Sequence, residues 1–394
     1  MKDDTKLTTL GRDPGAYHGI VNPPVFHAST VLHPSVAAYE AHARARESGD
    51  KQIVYGRRGT PTSFAFEDAV AGLEGGHAAL SYPSGLTAIA AVMLSFLKAG
   101  DHVLVCDSAY GPTHKLCDGI LARLGVQSSY FDPLIGAELA KQMRPNTKLV
   151  YLESPGSETF EVMDVAAAAR AAHAGGALVA IDNTWASPLY FKPLQHGCDL
   201  SIHAATKYLV GHSDAMMGVV TANQAAWKPL QSTTYELGLS AGPDDLYLAQ
   251  RGMRTLSVRL ERHQKNAMTV ARWFQSRPEV ARVLYPALPD DPGHALWKRD
   301  FAGASGLFSV EFKPAPKAAI DAMIDGLEYF GLGASWGGYE SLVMPCGQIK
   351  LRQVRPWKGG PLVRFHIGLE DPADLMADLG AGLDRLKRAA ATAA

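Results

Sequence analysis

Residues 177–214 read ALVAIDNTWASPLYFKPLQHGCDLSIHAATKYLVGHSD. Two short runs in this stretch, ALVAIDN and DLSIHAA, are apolar at nearly every position rather than at every second one. A strand buried on one face alternates, whereas a strand buried on both faces does not. The two runs are therefore expected as strands of a sheet covered on both sides, and that expectation decides the fold class. The first run carries a carboxylate near its end, Asp182. The second leads to a single lysine, Lys207, in a segment poor in charge. A surface lysine whose stem covers apolar surface is the ordinary explanation of such a residue, so its surroundings must decide.

Working outward, HAALSY, DHVLVCD, TKLVYLES and MGVVTA read as further strands of the same kind. Between them SFAFEDAVAGLEGG, GLTAIAAVMLSFLKAG, GPTHKLCDGILARLG and DVAAAARAAHAGG carry helical apolar spacing. Gly75 and Gly76 close the first of these helices. Alternating strands and helices predict an α/β fold with a largely parallel sheet. Residues 244–276 run without proline and predict one long helix able to bridge two domains. Beyond residue 277, strands (ASGLFSVEF, SLVMP, LVRFHIG) mix with helices (KAAIDAMIDGL, PADLMADLGAGLDRLKRAA), as in a smaller α+β domain. The terminal RAAATAA reads as helix and frayed end.

Residues 1–60 hold Pro14, Pro23, Pro24 and Pro34, and one helix near 35–47. So irregular a segment buries little of itself. It is expected to lie as an arm on the body or on a second subunit.

Composition excludes several classes. The chain has 394 residues, 47% hydrophobic and 20% charged, with a formal net charge of -1. That is an ordinary globular balance, without the basic excess that nucleic acid demands. The longest apolar stretch, residues 85–97, is too short to span a bilayer. The polar N-terminus has no apolar signal segment. Cys106, Cys117, Cys198 and Cys346 match no zinc spacing and read as free thiols of a reducing compartment. A cytoplasmic protein without membrane, nucleic-acid or metal partners is expected. His203 and His212 lie nine apart, without the carboxylates a metal site needs.

In a doubly wound sheet, ligands sit beyond the carboxyl ends of the strands. HAALSY delivers a Ser-Gly turn into a helix N-terminus at Gly85 and Leu86, where free N–H groups favour a phosphate. DHVLVCD delivers Tyr110, which can stack on a flat ring. ALVAIDN delivers Asp182, and DLSIHAA delivers Thr206 and Lys207. Each has an ordinary explanation taken singly: a tight turn, a tyrosine covering the core, a loop aspartate. Together they describe one ligand, with a phosphate, a flat ring, a basic ring nitrogen and an aldehyde. That ligand is pyridoxal 5'-phosphate. Lys207 would hold the aldehyde as a Schiff base, Asp182 would keep the ring nitrogen protonated, and the Thr206 hydroxyl could reach the phosphate.

The same residues resemble a family. YGRRGTPT, YPSGLTA, AYGP, FDPLIG, LESPGS, AIDNTWA, AATKYLVGHSDAM, SWGGYES and RFHIGLED resemble the cystathionine β-lyases, within the Cys/Met-metabolism group of fold-type I PLP enzymes. The resemblance implies a large domain with a mostly parallel seven-stranded sheet covered by helices, a smaller C-terminal domain and an N-terminal arm. The expected division is residues 1–60 for the arm, 61–255 for the PLP-binding domain and 256–394 for the C-terminal domain. It implies that Tyr55 and Arg57 reach the phosphate of a neighbouring subunit, so that a dimer shares its sites and a homotetramer forms. Gly85 and Leu86 become backbone phosphate donors and Tyr110 the stacked ring. Ser335 and Trp336 become substrate-pocket walls, Tyr55 and Tyr110 further substrate contacts, and Arg364 the clamp on the α-carboxylate of an amino-acid substrate.

The implied reaction is β-elimination of L-cystathionine, with Lys207 moving the proton and Tyr110 helping. Many relatives, γ-lyases and γ-synthases among them, place a serine where Ala204 stands, in S-x-T-K. Ala204 and Trp336 fit the β-lyase pattern. The alternatives are methionine γ-lyase, cystathionine γ-synthase and cysteine desulfhydrase, and more distantly a PLP-fold protein that only binds.

Overall fold

The computed structural model describes residues 1–47 and 51–393. Seven strands form the first sheet: β1 (Ala78–Tyr82), β2 (His102–Cys106), β3 (Gln127–Phe131), β4 (Thr147–Glu153), β5 (Leu178–Asp182), β6 (Leu200–His203) and β7 (Gly218–Ala222). Their order is β1-β7-β6-β5-β4-β2-β3. Pairs β2/β3, β2/β4, β4/β5 and β5/β6 are parallel, whereas β7 is antiparallel to both β6 and β1. Six strands therefore run one way and only β7 returns. Every residue of β2 and β6 is buried, as the unbroken apolar runs require.

Helices Pro61–Glu74, Gly85–Phe96 and Val165–Ala174 cover the sheet. Gly75 ends the first of them at φ +76, the left-handed turn that favours glycine. Ser84 caps the second by accepting the Thr87 N–H, and Asp164 caps the third by accepting that of Ala167. A side-chain oxygen in that position satisfies one of the N–H groups a helix start leaves free.

The second sheet holds β8 (Val280–Leu284), β9 (Leu307–Phe312), β10 (Gly331–Leu332), β11 (Leu342–Pro345) and β12 (Leu362–His366), in the order β10-β11-β12-β9-β8. It is antiparallel apart from β10/β11. Phe274, Phe308, Phe312 and Phe365 pack its core.

The structure departs from the sequence reading in three places. Strand β3, QSSYF, is polar because it is a sheet edge whose first four residues are wholly or partly exposed, so it lacks the apolar run of its neighbours. Residues 244–276 are two helices, Pro243–Met253 and Leu256–Gln275. The break falls where the Gly252 carbonyl accepts from Thr255 N–H and from Arg259 Nη2 instead of continuing the helical ladder. Gly252 also lies so close to the chain that a Cβ there would meet the Val210 carbonyl at 2.2 Å.

The third departure is at the N-terminus. Residues Asp3–Thr9 form a helix with Leu7 buried, and Arg254 Nη1 donates to the Leu7 and Leu10 carbonyls. The start of the arm thus lies on the body. Farther along, Ile20, Val21, Leu32, Val36 and Tyr39 are each more than half exposed. The expected arm includes residues 48–50, and the expected frayed end includes residue 394; both lie outside the described residues. Among the described residues, no helix is long and apolar enough to cross a membrane.

Candidate active site

The carboxyl ends of β1, β2, β4, β5 and β6 meet residues of the second sheet around a cavity of about 400 Å³. It gathers Gly85, Leu86, Tyr110, Asp182, Thr206, Lys207, Ser335, Trp336 and Arg364. Tyr55 and Arg57 are not among them. They line a separate hollow of about 510 Å³ with Glu67, Thr234 and Tyr235, and the two hollows share no lining residue. Arg57 Nη1 donates there to the Tyr235 carbonyl at 2.8 Å. The larger hollow is therefore not the one that collects the chemistry.

Lys207 follows β6 by four residues. Its Nζ donates to Ser335 Oγ at 2.5 Å and stands 5.3 Å from the Trp336 ring centroid. Burial, and then the Arg364 charge, pull the amine down to about 8, against the opposing pull of Asp182. Such an amine keeps a useful neutral fraction near neutrality. Ser335 is held at φ +89, a strained conformation for a residue other than glycine.

Asp182 ends β5 and is nearly inaccessible. Its Oδ1 accepts from Thr184 N at 2.9 Å and Thr184 Oγ1 at 2.5 Å, and Thr184 Oγ1 in turn accepts from Ala204 N. Among the described residues Oδ2 has no donor, although the residue lines the cavity. Burial raises the carboxyl above its ordinary range against those hydrogen bonds. A buried carboxylate with one free oxygen demands a donor, and a protonated ring nitrogen is one.

Gly85 opens the helix that follows β1. The N–H groups of Gly85 and Leu86 precede the first intrahelical bond, made by Ala88 to Ser84 O, and are left for an anion. A Cβ at Gly85 would lie 2.6 Å from that of Ala204, so the turn needs glycine. Thr206 sits nearby, but its hydroxyl donates to the Met217 carbonyl and accepts the Met217 N–H. The hydroxyl expected to reach a phosphate here has its one proton on the Met217 carbonyl and ties down the chain leading into β7.

Arg364 lies on β12 and is 8% exposed. One amino group donates to the Ser335 carbonyl at 3.2 Å. Among the described residues it has no carboxylate partner. A buried guanidinium without a counter-ion, opening on a cavity, is suited to a carboxylate brought in from outside.

The sequence reading missed Glu153. It ends β4, accepts the Tyr110 N–H at 2.7 Å and the Ser157 hydroxyl at 2.7 Å, and lines the cavity. Burial, with the Asp182 charge behind it, raises its carboxyl well above the usual range. Its position at the end of an apolar strand, like that of Asp182, was the available signal. Tyr110 is half-exposed, and its phenol is raised by burial and by Glu153 and Asp182. His203, weighed as a metal ligand, pairs through Nε2 with Glu74.

The donor set fits pyridoxal phosphate: a free carboxylate oxygen for a ring nitrogen, unpaired N–H groups for a phosphate, and an amine of lowered basicity for an aldehyde. The family described as Cys/Met metabolism PLP-dependent enzyme matches residues 4–384. A putative cystathionine beta-lyase of Rhizobium johnstonii is 49% identical, over 96% of this chain and 95% of its own. The cystathionine beta-lyase of Salmonella typhimurium is 45% identical, over 97% and 98%. Among solved structures, a cystathionine gamma synthase from Xanthomonas oryzae pv. oryzae superposes with a TM-score of 0.90 at 32% identity, covering 99% of each chain.

Proposed function

Because the chain belongs to the Cys/Met metabolism PLP-dependent enzymes, we propose that its cavity carries out β-elimination on L-cystathionine, giving homocysteine, pyruvate and ammonia. The observation that carries this reading is Arg364, a buried guanidinium without a carboxylate partner among the described residues, lining one cavity with Lys207 and Asp182.

The chain's own residues then divide the work. Gly85 and Leu86 would hold the phosphate through their N–H groups. Asp182 Oδ2 would accept from the ring nitrogen and keep it cationic. Tyr110 would stack on the ring. When bound, the cofactor supplies the electron sink that lets the Cα–H and Cβ–S bonds break in turn. Arg364 takes the substrate α-carboxylate in a bidentate grip and so fixes which Cα bond faces Lys207. Lys207 Nζ removes the Cα proton and returns a proton to the departing sulfur, with the Tyr110 hydroxyl as helper. Trp336 and Ser335 wall the cavity on the second-sheet side and limit water.

Ala204 and Trp336 support β- over γ-elimination. A serine in place of Ala204 would add a phosphate donor directly beside Gly85.

Residues 1–60 act as an arm, 61–255 as the PLP-binding domain and 256–394 as the C-terminal domain. Tyr55 and Arg57 serve the neighbouring subunit of a dimer, which pairs again into a homotetramer. The exposed apolar residues of the arm support the first step, and the resemblance alone supports the second. The four free cysteines support a cytoplasmic setting.

Product identification tests the reading. Purified protein supplied with pyridoxal phosphate should absorb in the visible and convert L-cystathionine to homocysteine and pyruvate. Cysteine with 2-oxobutyrate would instead mark γ-cleavage. Lys207→Ala should remove both the turnover and the absorption band that arises from the covalent link between the lysine and the cofactor.

A further inference from the structure

Ser335, Trp336, Gly337 and Gly338 form a strap across Lys207. Ser335 and Gly337 both have positive φ, +89 and +90. A Cβ on Gly337 would lie 2.9–3.0 Å from the Lys207 carbonyl carbon and Cα, so the strap rests directly on the lysine backbone. Ser335 Oγ accepts from the lysine amine. A segment so strained stays in place only where its surroundings over-determine it.

Two residues of β12 supply that determination. Arg364 and His366 are two apart on one strand and share a face. Arg364 donates to the Ser335 carbonyl, and His366 Nε2 lies 3.1 Å from the Gly337 nitrogen. We propose that His366 is a positioning residue of the Lys207–Ser335 pair: as the Nδ1–H tautomer it accepts the Gly337 N–H and holds the strap against the lysine. This rests on the reading of Lys207 as the reacting amine.

The role of the ring turns on its tautomer. His366 Nε2 is also 3.1 Å from the Gly338 carbonyl, and one ring nitrogen cannot both accept from Gly337 and donate to Gly338. His263 Nδ1 lies 2.8 Å from the Ile367 carbonyl and must donate to it, which leaves His263 Nε2 a bare acceptor. That nitrogen and His366 Nδ1 are both buried without partners, on rings whose centroids are 5.1 Å apart. A proton on His366 Nδ1 leaves His366 Nε2 free to accept from Gly337. Burial keeps both rings neutral, His263 at about 4 and His366 well below its ordinary value.

His366→Leu in the holoenzyme keeps the volume and removes the acceptor. It should lower kcat about tenfold or more with a smaller change in KM, and move the pH midpoint of the bound cofactor's absorption band by about half a unit or more. His366→Gln, which returns an acceptor for the Gly337 N–H, should restore most of both. Ser335→Ala should show the same midpoint shift, and the double variant with His366→Leu should be no worse than Ser335→Ala alone.

Equal loss in both His366 variants, or an unshifted midpoint in His366→Leu, overturns the proposal. Should His366→Leu not fold, ¹⁵N shifts of labelled histidine in the wild-type holoenzyme decide, and an Nε2–H tautomer at His366 overturns it. Lys207→Ala separates the two levels. Turnover surviving there refutes the reading of Lys207, whereas turnover lost there and unchanged in His366→Leu refutes only the role of His366.

Discussion

Glu153 and Asp182 stand opposite each other across the parallel pair of β4 and β5, each the last residue of its strand. Two carboxyls therefore share one water-poor edge. Burial raises both, and the Asp182 charge raises Glu153 further.

A stability prediction follows from that relationship. Both groups bind a proton more tightly in the folded than in the unfolded chain, so their own contribution to stability falls as pH rises above the ordinary carboxylate range. Buried histidines such as His263 and His366 act with the opposite sign in the same window, so the carboxyl is read from a difference. In urea unfolding of cofactor-free protein, Glu153→Gln should gain stability relative to the wild type between about pH 5 and about pH 8. A slope unchanged by that substitution would count against the shared burial.

The sheet was legible because burial on both faces writes itself into a strand as an unbroken apolar run. Asp182, Tyr110 and Lys207 were legible because polar residues at the ends of such runs stand out. Glu153 ends its strand in the same way and escaped notice, because nothing in its own segment shows that β4 lies beside β5. His366 escaped for a related reason. It ends a strand of the second sheet, and its partner Gly337 comes from a loop 29 residues away. The polar edge strand β3 and the break at Gly252 depend on contacts that local periodicity does not record. The separation of Tyr55 and Arg57 from Lys207 accords with the expectation that they serve a neighbouring subunit, an expectation that came from the resemblance and not from periodicity.

Lys207 is acted on from two sides with opposite sign. Burial and then the Arg364 charge lower its amine, and Asp182 raises it. Arg364→Ala should move the amine upward from about 8, and Asp182→Asn should move it downward. The check is the pH dependence of Lys207 acylation in cofactor-free protein, followed on the modified peptide. Shifts in the same direction would contradict this arrangement.

Arg364→Lys replaces a planar fork with a point charge. The lost charged hydrogen bond to the substrate carboxylate is worth about 2 kcal/mol, or roughly thirtyfold in affinity. Steady-state kinetics should place most of that in KM. A KM within twofold of wild type would make the arginine a holder of the Ser335 carbonyl only.

Gly337→Ala sets a Cβ against the Lys207 backbone at a positive φ. Strain of that kind costs on the order of 1–3 kcal/mol. Both Tm and turnover should fall, because the strap and the lysine move together. Gly119→Ala, inside the helical segment Cys117–Leu121 and with nothing within 4 Å of a Cβ, is the control and should lower neither. Turnover retained in Gly337→Ala despite a lower Tm would separate the strap from the chemistry.

Tyr55 and Arg57 face a hollow that lacks Lys207, Asp182 and Arg364, and the arm before them exposes Ile20, Val21, Leu32, Val36 and Tyr39. A segment with that much uncovered apolar surface gains by lying on another copy. If it does, each working site takes its lysine from one chain and Arg57 from the other, and two dead variants can rescue each other. Arg57→Ala and Lys207→Ala homo-oligomers should each be nearly inactive. Unfolded together and refolded, random pairing makes half of the dimers hybrid, and each hybrid holds one intact site of two. About a quarter of wild-type activity should return. Activity equal to the mean of the two parents would place Arg57 and Lys207 in service of one chain, and the exposed arm would then need another explanation.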